Sequence, residues 1–416
     1  MAIYIHGFWY DISNFKHPGG TVIKHYANND ATEAFDSFHF RSSRAKTILK
    51  SLPKLELNTV PSLENYENID NNIEMLQDFN IWKQSLIDRG FFKPSYIHVT
   101  YRLSELIGIF SLATYMVYNN QLFLSLLLYG LFSGRCGWVQ HECGHTSFTC
   151  NKYYDKIIQK ITIGFGLSTS GTVWNKMHNR HHASTQKEHF DMDLDTLPFV
   201  AFYSDAINNN KCRFINSYWI KYQAYNFILI TSGIFVMIFW IFILHPINVI
   251  KNKDIFEGSL MLSSHIIHTY IFQNALNCSY LFAYFCFFIT KWLAGIYLFG
   301  HFSTSHTFTK TVKQDTFPTW VDYALYHTVD INTQNVFVSW IMGYLNCQCV
   351  HHLFPQMPQF RQPIVSKELE IFAKKWNKPY IHVSYFEAWY KTFQNLNNVG
   401  KSIYHKLHTA HHTTHS

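Results

Sequence analysis

Four long apolar runs constrain the fold of this chain more than any other feature of its sequence. A helix needs about 20 apolar residues to cross the hydrocarbon core of a bilayer. The runs approach or reach that length and cover residues 101–118, 121–139, 224–244 and 279–300. They predict a mostly α-helical membrane protein that crosses the bilayer about four times.

Details of these runs bear on the topology. The first two runs form a predicted hairpin that turns at Asn119-Asn120. The fourth run contains Lys291, whose amine is expected to reach the membrane interface. Residues 255–276 contain two histidines and either lie along the interface or form a further span. With four spans, one side of the membrane holds residues 1–100, 140–223 and 301–416.

The composition fits a chain that is partly in a bilayer and partly in water. Charged residues make up 15% of the sequence, against about 25% in an ordinary soluble domain. The net charge of +7 favours a cytosolic face close to anionic lipid. No segment resembles a nucleic-acid-binding module, so no nucleic-acid partner is expected. The eight cysteines include no CxxC pair, which favours a reducing compartment over a disulfide framework.

The 25 histidines are the next constraint, because imidazole is a ligand for iron, zinc and copper. The first cluster, called the first box, covers residues 141–145 and reads HECGH. Positions i and i+4 of a helix lie on one face, so His141 and His145 can hold one metal or share a pair. Glu142 also completes the HExxH signature of zinc proteases, in which it would be the general base.

Two further clusters share a spacing of i, i+3 and i+4. The second box, residues 178–182, reads HNRHH, and the third box, residues 348–352, reads QCVHH with an amide in the first place. On a helix this spacing puts all three side chains on one side. The candidate ligands are His178, His181, His182, Gln348, His351 and His352. Two copies of such an unusual triad are harder to explain by chance than one.

A fourth candidate, His306, follows the last apolar run. It is either a ligand or a polar cap at the membrane boundary, and His301 is a weaker candidate. The seven histidines of the boxes, with Gln348 and His306, are about twice the three or four ligands that one zinc ion needs. A lone histidine is more often a packed core residue, but clusters at a repeated helical spacing favour two bound metals.

A separate module is indicated at the N-terminus. Residues 9–20 read WYDISNFKHPGG, and residues 29–39 read NDATEAFDSFH. His17 and His39, in short loop and helix contexts, can clamp a planar cofactor from both faces. A haem held by two histidines has no open coordination position, so it transfers electrons and does not bind oxygen.

These segments resemble two known families. HPGG, DATEAF and FH resemble cytochrome b5, with His17 and His39 matching the axial haem ligands. HECGH, HNRHH and QCVHH resemble the front-end fatty acid desaturases, which are fusions with cytochrome b5 and have Gln in the first place of the third box. The resemblance covers about residues 1–400, and it includes GFFKPSYIHV at 90–99 and HHLFPQMPQF at 351–360.

The resemblance implies a domain organisation. A small α+β cytochrome b5-like domain at 1–58 and a linker at 59–80 precede a membrane desaturase domain at 81–400, whose cytosolic cap binds two metals through histidines. A histidine-rich tail follows at 401–416; its composition is typical of metal binding, but disorder is expected there. The implied metal ligands are His141, His145, His178, His181, His182, His306, Gln348, His351 and His352.

Three carboxylates follow the second box, at Asp191, Asp193 and Asp195. They either support ligand histidines or form a solvated acidic loop.

The resemblance also implies an activity. The expected cofactors are two non-haem irons and haem b, with O2 as oxidant and electrons from an NADH-dependent cytochrome b5 reductase. The expected reaction inserts a cis double bond on the carboxyl side of existing double bonds, at the delta-5 or delta-6 position of a polyunsaturated C18–C20 acyl chain carried by CoA or phospholipid. The expected location is the endoplasmic reticulum membrane, with the N-terminus, the boxes and the C-terminus in the cytosol.

Alternative functions are open at this point. A sphingolipid long-chain-base desaturase shares the fused module and the Gln-type third box, and a hydroxylase is chemically adjacent. A membrane zinc protease built on the first box leaves the other boxes unexplained. A membrane-tethered haem carrier would hold haem iron only.

The sequence departs from the family pattern in two places. The b5-like module starts late, without the usual first strand, and the first box has Glu where Asp is more common. The second change keeps a carboxylate. At about 55 residues the module is small for independent stability, and haem binding would favour its folded form.

Overall fold

The computed structural model describes residues 1–56, 69–194, 196–208 and 216–413, and their side chains except at 69–71, 235–236 and 409–413. At the N-terminus, strands β1 (Ala2–Ile5), β2 (Phe8–Asp11) and β3 (Lys54–Leu55) form an antiparallel sheet in that order. β1 and β2 are joined by His6 and Gly7, which both have positive φ angles (49° and 84°), as a two-residue hairpin turn requires.

Three short helices cover this sheet: a 3-10 helix (Gly20–Tyr26), α1 (Thr32–Phe38) and α2 (Ser43–Ser51). The hydroxyl of Ser42 caps α2 by accepting a hydrogen bond from the backbone N–H of Ala45. The small core contains Ile3, Ile5, Tyr10, Ile12, Ala31 and Leu49. The module is therefore α+β, as predicted.

Long helices make up the centre of the chain. They are α3 (Ile69–Asp88), α4 (Tyr96–Tyr118), α5 (Leu122–Gly144), α11 (Ile255–Leu276) and α12 (Tyr280–Ser303). α4 and α5 form the predicted hairpin, which turns through Asn120 in the left-handed conformation (φ 58°). α3 begins at Ile69, so the last part of the predicted linker is helical.

Shorter helices lie between α5 and α11: α6 (Lys152–Ile161), α7 (Gly171–Ala183), a 3-10 helix (Ser204–Asn208), α8 (Ser217–Lys221), α9 (Gln223–Asn226) and α10 (His245–Asn252). π-helical segments follow α6 at Thr162–Gly166 and link α9 to α10 at Phe227–Val236 and Phe239–Leu244.

Three helices of the described residues are long and apolar enough to cross a membrane: Leu122–Gly144, Gln223–Asn252 and Tyr280–Ser303. They contain three of the four predicted spans. The remaining predicted span, 101–118, lies in α4, which is equally long but carries buried polar side chains such as Arg102 near its start. A topology with four spans therefore stays a prediction, as does the role of α11.

α5 packs closely against α12 because small residues line the contact. A Cβ atom built on Gly130 would lie 2.6 Å from Leu293, and one built on Gly137 would lie 2.7 Å from Leu298. This close approach brings the C-terminal ends of α5 and α12 together, which is where the first box and His306 are found.

The prediction for Lys291 on α12 is wrong. Its side chain does not extend to an interface but is 1% exposed inside the helix bundle. Its Nζ donates hydrogen bonds to Ser133 Oγ at 3.0 Å and to the carbonyl of Gly166 at 2.5 Å. α5 and the π-helical segment after α6 thus supply acceptors that the sequence of α12 does not show.

The rest of the chain forms a cap over these helix ends. Its elements are α13 (Trp320–His327), β4 (Asp330–Ile331), α14 (Val336–Ile341), α15 (Gln348–Leu353), α16 (Gln362–Lys375), β5 (His382–Val383) and α17 (Tyr385–Thr413). β4 pairs with β5 in parallel. Every residue of α15 is buried, in a core that includes Phe79 of α3 and Trp320 of α13. α17 continues through 401–413, so this part of the predicted tail is helical and not disordered.

Candidate metal centre

The three boxes meet because each lies at or near the end of a helix that points into the cap. His141 is in the last turn of α5 and His145 follows that helix directly. The second box occupies the last turns of α7, and the third box forms most of α15. All seven box histidines are buried.

Five of these histidines form one group, called the five-histidine group: His141, His145, His178, His182 and His351. Their nearest ring nitrogens all lie within 4.8 Å of one another. Nε2 of His178 is 2.9 Å from Nε2 of His145 and 3.1 Å from Nε2 of His182. Two nitrogens bound to one ion at about 2.0–2.1 Å and at right angles are about 3 Å apart, so the spacing fits ligation of a shared ion.

A second group, called the three-histidine group, contains His181, His306 and His352. Gln348 joins it: its Nε2 lies 2.8 Å from Nε2 of His306 and 3.4 Å from Nε2 of His352. Its Oε1 is buried with no hydrogen-bond partner among the described residues. Since the two amide atoms are distinguished only by their hydrogen bonds, a rotated amide presents the oxygen to the same position.

The two groups are neighbours. The rings of His182 and His352 stack with their centroids 4.1 Å apart, and His182 belongs to the first group while His352 belongs to the second. The structure therefore brings together all eight candidate histidines and Gln348, and it places His306 among them and not in an isolated cap. His301 is not included, because its ring bonds to the carbonyl of Tyr297 and the hydroxyl of Tyr385.

Hydrogen bonds behind the ligands orient their rings. Nδ1 of His181 lies 2.9 Å from Asp191, Nδ1 of His306 lies 3.3 Å from the carbonyl of His327, and Nδ1 of His352 lies 3.0 Å from the hydroxyl of Thr185. Nδ1 of His141 lies 2.8 Å from Nε2 of Gln359, whose Oε1 has no partner among the described residues, so a rotated amide presents the oxygen as the acceptor. Each contact uses Nδ1, so Nε2 is left for a metal.

The sequence suggested only part of this supporting set. Asp191 supports a ligand, while Asp193 is 3.4 Å from His181 with a side chain that is 55% exposed. Asp195 lies outside the described residues. No pattern in the sequence points to Thr185 or to the carbonyl of His327. Gln359 lies within the stretch HHLFPQMPQF at 351–360, but its contact with His141 becomes visible only in the folded structure.

The N-terminal module brings the two predicted haem ligands together, with their ring planes inclined at 63° to each other. The rings of His17 and His39 have centroids 6.1 Å apart. An ion between two imidazoles, with bonds of about 2 Å and roughly 1 Å more to each ring centre, requires about 6 Å. The residues present therefore fit a haem held from both faces.

Comparison with known proteins identifies the family of each part of the chain. The sequence model of the fatty acid desaturase family matches residues 120–384, and that of the cytochrome b5-like haem/steroid binding domain matches residues 1–58. The chain belongs to the fatty acid desaturase family. The predicted resemblance to front-end desaturases with a fused b5 domain is thus confirmed.

The relatives of this desaturase match it over nearly their whole length. It is 36% identical to the acyl-lipid (8-3)-desaturase of Thraustochytrium sp, over 97% of this chain and 93% of the relative. It is 35% identical to the acyl-lipid (8-3)-desaturase of Rebecca salina, over 96% and 91% of the two chains. It is 26% identical to the delta(6)-fatty-acid desaturase fat-3 of Caenorhabditis elegans, over 93% of each.

The electrostatics of the desaturase site suit metal ligation. Burial lowers the pKa of His145 and of His306 to about 3, and it lowers the pKa values of His178, His182, His351 and His352 well below the usual value. These rings are therefore neutral, as metal binding requires. Burial also disfavours the charged form of His181, but the negative charges of Asp191 and Asp193 outweigh it and raise the pKa of His181 to about 9.

Glu142 of the desaturase does not face the histidines. Its side chain is fully buried, and Oε1 accepts a hydrogen bond from the backbone N–H of Gln359 at 3.0 Å. Oε2 lies 3.5 Å from Nε2 of His98 and 4.0 Å from Nη1 of Arg102. A general base of a zinc protease must reach a metal-bound water, so the position of Glu142 argues against that alternative.

Proposed function

We propose that this desaturase inserts a cis double bond on the carboxyl side of existing double bonds of a polyunsaturated acyl chain, with O2 as oxidant and with electrons supplied through the haem of its b5 domain. The observation that carries the proposal is the convergence of eight histidines, seven of them buried, from far-apart stretches of chain into two adjacent groups. A protease or a haem carrier has no use for two such groups.

The proposed metal ligands divide between two irons. The five-histidine group holds one iron, and His181, His306, His352 and Gln348 hold the other. With O2, two irons supply an oxidant able to break unactivated C–H bonds, which side-chain acid–base chemistry cannot do. The chain itself orients the ligand rings through Asp191, Thr185 and Gln359, and it keeps bulk water from them by burial.

The position of the new double bond is proposed from the relatives. Their names specify acyl-lipid (8-3), delta(8) and delta(6) activities, all of them on fatty acyl chains. For this chain we propose delta-5 or delta-6 action on a C18–C20 polyunsaturated chain carried by CoA or phospholipid. An NADH-dependent b5 reductase is the proposed electron donor, and the endoplasmic reticulum membrane, with boxes and termini in the cytosol, is the proposed location.

Expression in yeast tests this proposal. Cells receive defined C18 and C20 polyenoic acids, and their fatty acid methyl esters are analysed for a new double bond and its position. The wild type is expected to form one product, His351→Ala none, and His301→Gln the same product as the wild type, because His301 is a buried histidine outside both groups. Verified expression of the wild type without a new lipid on any substrate would refute the proposal.

A further inference from the structure

The b5 domain packs on the metal cap through the residue next to its haem ligand. Phe38 directly precedes His39. The ring of Phe38 meets the ring of His182, a member of the five-histidine group, edge to face with centroids 6.5 Å apart. It also meets the ring of Trp320 at 5.8 Å. The amide of Gln356, four residues after the third box, donates a hydrogen bond of 2.7 Å to the carbonyl of Phe38.

Contacts on both sides of Phe38 hold this arrangement. The hydroxyl of Tyr26 donates to the carbonyl of Ala183, the residue after His182, at 3.1 Å. Phe40 packs on Phe92 with ring centroids 4.9 Å apart, and Arg41 donates to the carbonyl of Phe92 at 2.5 Å. Ala34 lies in the same buried core as helices α3, α13 and α15. The domain is thus held in one orientation by several independent contacts.

The loop that carries His17 is partly exposed. Lys16, Pro18 and Gly20, which surround His17 in the chain, are all exposed. Pro18 also lines a cleft together with residues of α5, α6 and α7. The exposed residues of this loop leave an external donor access to the haem site, while Phe38, next to His39, is packed on the metal cap.

We propose that the b5 domain delivers electrons from this docked position and that Phe38 bridges the haem ligand His39 and the metal ligand His182. This inference rests on the proposed function. In each passage the haem iron is oxidised from ferrous to ferric, one non-haem iron is reduced from ferric to ferrous, and no proton moves. An external nicotinamide-dependent reductase replaces the electron on the haem. Because electron transfer slows steeply with the width of an unfilled gap, the ring of Phe38 acts as a positioning and bridging group.

Single-turnover kinetics of the full-length holoenzyme test the bridge. The haem is reduced anaerobically, and its re-oxidation by the ferric non-haem irons is followed by its absorbance after rapid mixing. We expect Phe38→Leu to slow re-oxidation by about tenfold, which corresponds to a barrier about 1.4 kcal/mol higher. Phe38→Tyr should restore most of the rate. Phe40→Leu is the matched control, because it removes an aromatic ring from the same interface without touching a ligand.

Haem and non-haem iron contents of each variant show whether both sites are intact. If the Phe38→Leu variant loses either cofactor, the Gln356→Leu variant is measured in its place. This change removes the hydrogen bond to the carbonyl of Phe38 without altering any ring. An unchanged rate in the intact Phe38→Leu or Gln356→Leu enzyme would overturn the inference, and so would an equal slowing by Phe40→Leu. A wild type that forms no new double bond would refute the proposed function instead.

Discussion

The two ligand groups of the metal centre differ in how many imidazoles they contain. The five-histidine group takes its ligands from all three boxes and is entirely buried. The three-histidine group has an amide, Gln348, where the matching position of the second box has His178. An amide is a weaker ligand than an imidazole, so an iron bound by the three-histidine group would be held less completely and would keep room for oxygen or substrate, as catalytic metal sites do. The comparison suggests that the first group mainly retains its metal and that the second group is where reactivity is set.

Removal of one ligand from each group provides the largest expected contrast. His181→Ala leaves two imidazoles in the smaller group, and we expect it to lower desaturation by more than about 100-fold, beyond the 10–100-fold typical of residues behind a ligand. It should also lose one of two non-haem irons. His145→Ala leaves four imidazoles and should retain more iron. Iron analysis of both purified variants tests the comparison, which equal losses would contradict.

Loss of the carboxylate behind His181 should have the next largest effect. Asp191→Asn removes the charge that orients His181 and raises its pKa, and we expect activity to fall by about 10–100-fold. Asp193→Asn is the matched control, because that side chain is more exposed and more distant, and it should stay near the wild-type rate. Product analysis in the same yeast strain measures both. A larger loss for Asp193→Asn would show that the exposed carboxylate is the one that matters.

Replacing Gln348 by a fourth imidazole tests directly whether the amide makes the three-histidine group the more reactive of the two. We expect Gln348→His to keep or improve iron retention while it slows turnover by about tenfold, or about 1.4 kcal/mol in barrier height. The physical reason is that a stronger ligand fills the position that the amide leaves partly open. The iron content of this variant is therefore expected to stay the same or to rise while its turnover rate falls. A rate that rises with iron content would mean that the two groups are equivalent.

The smallest effect is expected at the carboxylate of the first box. Glu142→Gln keeps an oxygen that can accept the N–H of Gln359 and should change the rate by less than about threefold, whereas loss of a general base costs about 10²–10⁴-fold. The same assay measures it. A loss of about 10²–10⁴-fold would instead support the zinc-protease alternative, in which Glu142 is the general base.

The sequence predicted those parts of the site that depend on local spacing. The i, i+3 and i+4 pattern identified six of the candidate ligand positions because a helix places them on one face, and the turn at Asn119-Asn120 followed from two asparagines between apolar runs. The haem ligands His17 and His39 were predicted from short motifs that resemble cytochrome b5, and they stay a prediction.

The remaining features depend on contacts between distant segments. His301 and His306 lie close together at the end of α12, and only the packing of the cap decides that His306 joins the ligands. The burial of Lys291 depends on hydrogen-bond acceptors from α5 and from the π-helical segment after α6. Gln359 reaches His141 across 218 positions in the chain. No periodicity within one helix carries this information.

Burial of the ligand rings also limits when iron can enter. His141 and His351 are 0% exposed, and the b5 domain lies against His182 from the other side. We expect an ion to reach these nitrogens most readily before α15 and the b5 domain have closed over them, so that metal loading takes place during biosynthesis. The supply of ferrous iron during translation would then set how many active molecules a cell obtains from a given amount of this chain.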